Sequence, residues 1–200
     1  LEYRAAATVG DPSPMGLWAF ATGIWIMGVV IALFPKGARM GLLPMFAIFS
    51  GIAQFIAGLY AYRRANVLGA TFFCTFGAFF AVLAGFQGLQ LGHYLPDDAN
   101  TAAIMGYFYI SFAFIALTLM LASFRLNAVM VLMFLCLCVG LTLAGIPQWA
   151  GTPASAGWNV LAAIGGWFLF ASGIIAGYLG AAVIVNSTFG RTILPLMGEP

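Results

Sequence analysis

Long apolar runs, broken by brief polar interruptions, set the pattern of this chain. Six of them reach the roughly 20 residues that a bilayer core demands of a helix: Pro14 to Phe34, Met40 to Tyr62, Asn66 to Leu89, Thr101 to Phe124, Val129 to Ile146 and Trp158 to Val185. The runs are continuous and rich in Gly, Ala, Leu and Phe, and they lack the alternation over about ten residues that marks a membrane β-strand. The pattern predicts an all-α membrane protein, with six transmembrane helices forming one domain over residues 1–200. The links "PKGAR", "RRAN", "QLGHYLPDDANT", "RLNA" and "PQWAGTPASAG" are short, which predicts that successive helices pack as antiparallel hairpins.

Composition sharpens the class. Of 200 residues, 64% are hydrophobic and 6% charged, where water-soluble domains carry roughly a quarter charged. Almost nothing is left for a soluble domain, and no basic surface suits a nucleic acid. The partner is the lipid bilayer. Arg4, Arg63, Arg64, Arg125 and Arg191 fall before the first helix, in the second and fourth loops and in the tail, against Lys36 and Arg39 in the first loop. That bias predicts a cell (plasma or inner) membrane protein with both termini in the cytoplasm.

Chemistry on a substrate finds no support. The spans contain no ion pair or proton relay of the kind pumps use, and no Ser/His/Asp set or phosphate-cradling loop is present. His93 sits in a loop beside Asp97 and Asp98, as a solvated loop residue would. Cys74, Cys136 and Cys138 fall inside the spans with no histidine or carboxylate beside them in sequence, and read as buried thiols. The sequence implies no cofactor, no metal and no enzyme.

What remains is movement of a solute or a structural role, and a few polar and small residues bear on the choice. Gln54 lies in "GIAQFIAGLYAYRRANVLGATFF", with Gly51 and Gly58 on its face. An amide at membrane depth needs a partner, either across a helix interface or in a pore. The residues alone lean slightly toward an interhelical lock. In "DPSPMGL", Pro12 and Pro14 stiffen a helix start whose free N–H groups attract anions, and Asp11 or Ser13 can cap it. A faint internal echo pairs "NVLGA" at Asn66 with "NVLAA" at Asn159, and "AGFQG" at Ala84 with "AGYLG" at Ala176. Such a duplication of three helices would relate the third and sixth about an axis along the membrane normal.

At these places the sequence resembles the acetate uptake transporter family, the succinate–acetate permease or YaaH-like proteins. "DPSPMGL" is similar to the family's Asn-Pro-x-Pro-Leu-Gly signature. "GIAQFIAGLYAYRRANVLGATFFCTFGAFF" resembles its second-to-third-helix pattern, with Gln54, Gly58, Asn66, Gly69, Thr71, Phe73 and Gly77 in register, and "FGRTILP" resembles its C-terminal ending. The resemblance implies a six-helix protomer with its own pore, assembled as a homo-hexamer and passing acetate and related small carboxylates, with succinate among the candidates. It places the apolar constriction on Phe20, Phe76 and Leu137, and the substrate path or entrance on Pro12, Ser13, Pro14, Met15, Gly16, Leu17, Gln54 and Thr71. Asp11 in place of the signature asparagine, Phe76 in place of the usual tyrosine, Ala61, Val183 and the apolar "GVVI" of Gly28 to Ile31 depart from the family pattern and bear on substrate choice. Two other readings stay open: a neutral-solute channel of the urea or amide type, and a non-transporting membrane scaffold or sensor.

Overall fold

A computed structural model describes residues 10–34, 42–153 and 156–197. Its helices are α1 (Ser13–Leu33), α2 (Met45–Arg63), α3 (Val67–Leu91), α4 (Ala99–Ser123), α5 (Ala128–Trp149) and α6 (Val160–Phe189). Each is long and apolar enough to cross a membrane, with mean hydropathies from 1.5 to 2.7. No strand occurs among the described residues. Arg4, Lys36 and Arg39 lie outside the described residues, as do the first two positions expected in the second helix.

Side-chain caps start four of the helices. Asn66 accepts from the Gly69 N–H, Asp98 from Thr101, Asn127 from Met130, and Asn159 from both Leu161 and Ala162. Each satisfies backbone donors that would otherwise be orphaned. Helix α5 runs past the expected Ile146 to Trp149, carrying Pro147 within it. Helix α6 runs past Val185 to Phe189 and stops at Gly190, whose left-handed φ of 62° suits glycine. The tail then folds back. Asn186 accepts from the Ile193 and Leu194 N–H groups and donates to the Leu194 carbonyl, Tyr178 donates to Pro195, and the Ala128 N–H donates to Met197. The "FGRTILP" segment thus straps α6 to the start of α5.

Packing closes the helices into a ring in the order α1, α6, α5, α4, α3, α2 and back to α1. The strongest seam, α1 on α6, joins the two ends of the sequence. The α3–α4 pair does not form the tight hairpin expected from its short link; the backbones approach at few points, and aromatic side chains fill the gap. Phe79 stacks on Phe108 at 5.2 Å and meets Phe112 at 4.9 Å between ring centroids. The two halves of the echo both begin at helix N-caps, Asn66 and Asn159. Two alternating spans, α4 and α5, lie between α3 and α6, so these two run in opposite directions. An axis along the membrane normal preserves helix direction and cannot relate them; any three-helix duplication here is inverted, about an axis in the membrane plane.

Candidate functional site: an aromatic waist flanked by amides

The interior of the ring is packed with aromatic rings, most of them from α1, α3 and α5. Phe20 on α1, Phe72, Phe76, Phe79 and Phe80 on α3, and Phe134 on α5 are fully or almost fully buried. Phe20 meets Phe72 at 4.8 Å, Phe76 at 5.6 Å and Phe80 at 6.3 Å, all edge to face, and Phe72 meets Phe134 at 5.0 Å. The geometry is the one aromatic quadrupoles favour. Leu137, one turn beyond Phe134 on α5, is 0% exposed and belongs to the same core. The structure therefore brings Phe20 and Phe76 into contact and sets Leu137 in the cluster with them. The rings touch, so this is a closed waist.

Helix α2 meets the waist with an unusual backbone. Met45–Ala53 is π-helical, and the α-helix proper begins at Gln54. Such wide turns concentrate at functional positions. A Cβ at Gly51 would lie 2.5 Å from the Phe46 carbonyl oxygen, so glycine admits the wide turn. Phe46, Ser50 and Gln54 are each 0% exposed. Ser50 lies against Gly23 of α1 and the Phe80 ring, because a Cβ built on Gly23 would collide with both. Along α2 and α3, Gly51 faces Ala81, the Phe55 backbone faces Gly77, and Gly58 faces Cys74. In that antiparallel register Gln54 sits level with Phe20 on α1 and between Phe76 and Phe80 on α3.

Buried hydroxyls elsewhere in the bundle are satisfied: Ser123 donates to Leu119 and Ser172 donates across to Met133 of α5. Gln54 differs. Neither its Nε2 nor its Oε1 has a hydrogen-bond partner among the described residues, and neither does the Ser50 Oγ. Among the described residues the amide forms no interhelical hydrogen bond, contrary to the lock its flanking glycines favoured; Gly51, Gly58 and Gly77 let α2 and α3 approach closely.

The motif at the start of α1 is only partly gathered toward the interior. Pro12 stands at the N-cap position, Ser13 and Pro14 form the first turn, and Asp11 Oδ1 accepts from the Ser13 N–H at 2.9 Å. Gly16 and Leu17 are buried, and a Cβ on Gly16 would lie 2.7 Å from the Phe73 ring. Met15 and Pro12 instead border an outward groove with Ile56 and Tyr60 of α2. Thr71 is half-buried, and its carbonyl accepts from Thr75 Oγ1. Gly28, in the apolar "GVVI" stretch, does not face the waist: it presses on the Gly166 carbonyl of α6.

One polar feature escaped the sequence reading. At the end of the ring where α3 and α5 finish and α4 begins, Gln87, Gln90, Asp97, Thr101, Tyr109 and Gln148 line a narrow cavity of about 20 Å³ with Leu83 and Met105 at its apolar wall. The Gln87 Oε1 is buried without a partner among the described residues. Leu83 lies one turn beyond Phe79 on α3, which places this cavity above the waist. Its sequence signal was a glutamine pair three apart on one helix face, Gln87 and Gln90. Nothing local announces that Gln148, some sixty residues on, joins them. Asp98 beside it caps α4, and the hydrogen bonds from Thr101 hold its carboxyl below the ordinary carboxylate value.

A six-span helical ring with a closed aromatic waist, an amide at its level and a polar cavity beyond it fits a membrane protein of the solute-conducting class. The chain belongs to the GPR1/FUN34/yaaH family, whose model matches residues 2–197. It is 29% identical over 192 residues to the Escherichia coli K12 succinate-acetate/proton symporter SatP, covering 94% of this chain and 95% of that one. It is 27% identical to acetate permease A of Emericella nidulans, over 98% of this chain and 68% of the permease. Its fold matches the structure of the bacterial acetate channel SatP with a TM-score of 0.82 at 26% identity, covering 94% of this chain and 99% of that one.

Proposed function

We propose that this protein is a membrane channel or permease for acetate and related small monocarboxylates, with succinate as a further candidate, and that Phe20, Phe76 and Leu137 form its constriction. The observation that carries the reading is the edge-to-face contact of Phe20 and Phe76 inside the closed ring of helices, on a fold shared with a bacterial acetate channel. The bundle is one pore-bearing protomer of a homo-hexamer in the cell membrane, with both termini cytoplasmic. The arginines at Arg63, Arg64, Arg125 and Arg191 support that orientation.

The physics of the waist dictates the form that crosses it. A carboxyl with a pKa of about 4.3 needs roughly 3.7 kcal/mol to be protonated at pH 7, at 1.36 kcal/mol per unit. Moving the bare anion through a dry apolar ring costs far more, tens of kcal/mol in the idealised limit. Helices α1, α3, α4, α5 and α6 contain no Asp, Glu, His, Lys or Arg, so no side chain of these spans carries a proton separately. The substrate brings its own. Proton-linked uptake then follows without a titrating group in the waist.

The test is acetate uptake into proteoliposomes across pH and imposed voltage, with Phe20→Ala beside the parent. Acetate flux above that of protein-free liposomes, altered when the waist is opened, is expected. Its absence in correctly folded protein would sink the reading. A neutral-solute channel is the second reading, favoured by the unpartnered amides of Gln54 and Gln87; it predicts that acetate does not compete with the transported solute.

A further inference from the structure

The fully buried Gln54 amide has an unusual pair of needs. Its Nε2 has donors to give and its Oε1 has lone pairs to fill, and both lack a partner among the described residues. Buried polar groups are almost always paired, and an amide left unpaired in apolar surroundings is destabilising. The two helices packed against α2 could have supplied a partner and do not: at its level the register sets Phe20 and Gly23 of α1, and Phe76, Gly77 and Phe80 of α3.

A carboxylate meets only half of this demand. Its two oxygens accept, so one can take the Nε2 hydrogen, but the other faces the Oε1 lone pairs and is repelled. A neutral carboxylic acid meets both halves, since its carbonyl accepts from Nε2 while its O–H donates to Oε1 in a planar, two-bond pair. Ser50 Oγ, one turn away and also unpartnered, can donate or accept and so suits either edge of that pair.

We infer that Gln54 is the specificity-determining residue of the waist, recognising the protonated carboxyl group of the substrate through both ends of its amide as the substrate passes Phe20, Phe76 and Phe80. The inference rests on the transport reading above and specifies which chemical form that site selects. Discrimination against the anion is then built into hydrogen-bond polarity as well as into dryness. The titratable groups near Gln54 are few: Cys74 on α3, whose thiol lies 3.8 Å from the Phe55 carbonyl, Tyr60, Tyr62 and Arg63 further along α2, and Asp11 before α1, which borders the outward groove with Ala53 and Ala57. Asp11 is the one carboxylate among them, and its Oδ1 is engaged by the Ser13 N–H.

Acetamide is the probe, because it has the shape of acetic acid, presents one carbonyl and N–H donors, and does not titrate. In proteoliposomes of the parent, after subtraction of protein-free liposomes, acetate flux at fixed total acetate should fall about tenfold per pH unit between pH 6 and 8, following the acid fraction. Acetamide should inhibit that flux with the same half-inhibitory concentration at both pH values. Gln54→Leu should weaken acetamide inhibition at least tenfold. Gln54→Glu, which offers a carbonyl and an O–H only while protonated, should make acetamide inhibition pH-dependent. Acetate flux that acetamide fails to inhibit, or inhibits equally in parent and Gln54→Leu, overturns the inference and leaves transport intact. If Gln54→Leu does not fold, the parent and Gln54→Glu measurements still decide it. No acetate flux in folded parent removes the transport reading itself.

Discussion

Phe20 touches three other rings from a position of complete burial, so its removal has two separable effects. Phe20→Ala should lower stability by about 3–5 kcal/mol, the range for emptying a packed phenyl site, read as a fall in thermal midpoint in detergent. It should also raise flux and admit larger carboxylates, read in proteoliposomes as a narrowed ratio of acetate to longer-chain rates. A stable variant with unchanged selectivity would show that Phe20 is mere core. The waist residues were legible only through a resemblance of motifs: in the sequence Phe20 and Phe76 are two among 19 phenylalanines, and a hydropathy pattern assigns none of them a direction. Gln54 was legible as a polar intruder, but its partner, or lack of one, depends on α1 and α3 and could not be read along α2.

The ends of the helices carry predictions of their own. Asn159 accepts two N–H groups at the start of α6, so Asn159→Ala should cost about 1 kcal/mol, and Asn159→Asp should restore it. Asp98 at the start of α4 is a carboxylate with a lowered pKa, caused chiefly by the Thr101 N–H. Its contribution to stability is present above the unfolded value of about 3.9 and is lost as pH falls through the lower, folded value. Thermal melts of parent and Asp98→Asn should therefore keep a constant offset between pH 5 and 8, and the offset should shrink only in stronger acid. Any flux change between pH 5 and 8 has another origin. At the far end, Asn186 holds the tail through three hydrogen bonds; Asn186→Ala should free it, read as faster tryptic cleavage after Arg191.

Closure of the ring rests on backbone crossings. A Cβ on Gly28 would lie 2.5 Å from the Gly166 carbonyl oxygen, and one on Gly166 would lie 2.6 Å from that of Gly28. The two glycines pack α1 on α6 reciprocally, as small residues do between membrane helices, where van der Waals contact replaces the hydrophobic drive. Gly166→Val should disrupt this crossing and lower the yield of folded protein. Gly85, with nothing within 4 Å of its added Cβ, should accept alanine, and gain about 0.5–1 kcal/mol from its mid-helix position. A Gly166→Val variant as stable as the parent would refute the crossing.

The number of membrane spans, their ends to within a few residues and the all-helical class follow from the amino-acid order, because a bilayer forces each backbone group to find its partner within its own helix. Capping residues such as Asn66, Asn127 and Asn159 act over two or three positions, so their signal is local, though the sequence reading did not name them as caps. Which faces meet is a different matter. Helical amphipathicity is nearly absent where lipid and core are equally apolar, so nothing along the chain says that α1 closes on α6, that α3 and α4 are joined by stacked rings, or that Gln148 joins Gln87 and Gln90. Those were decided by shape, glycine against glycine and ring against ring, and shape exists only once all six helices are in place.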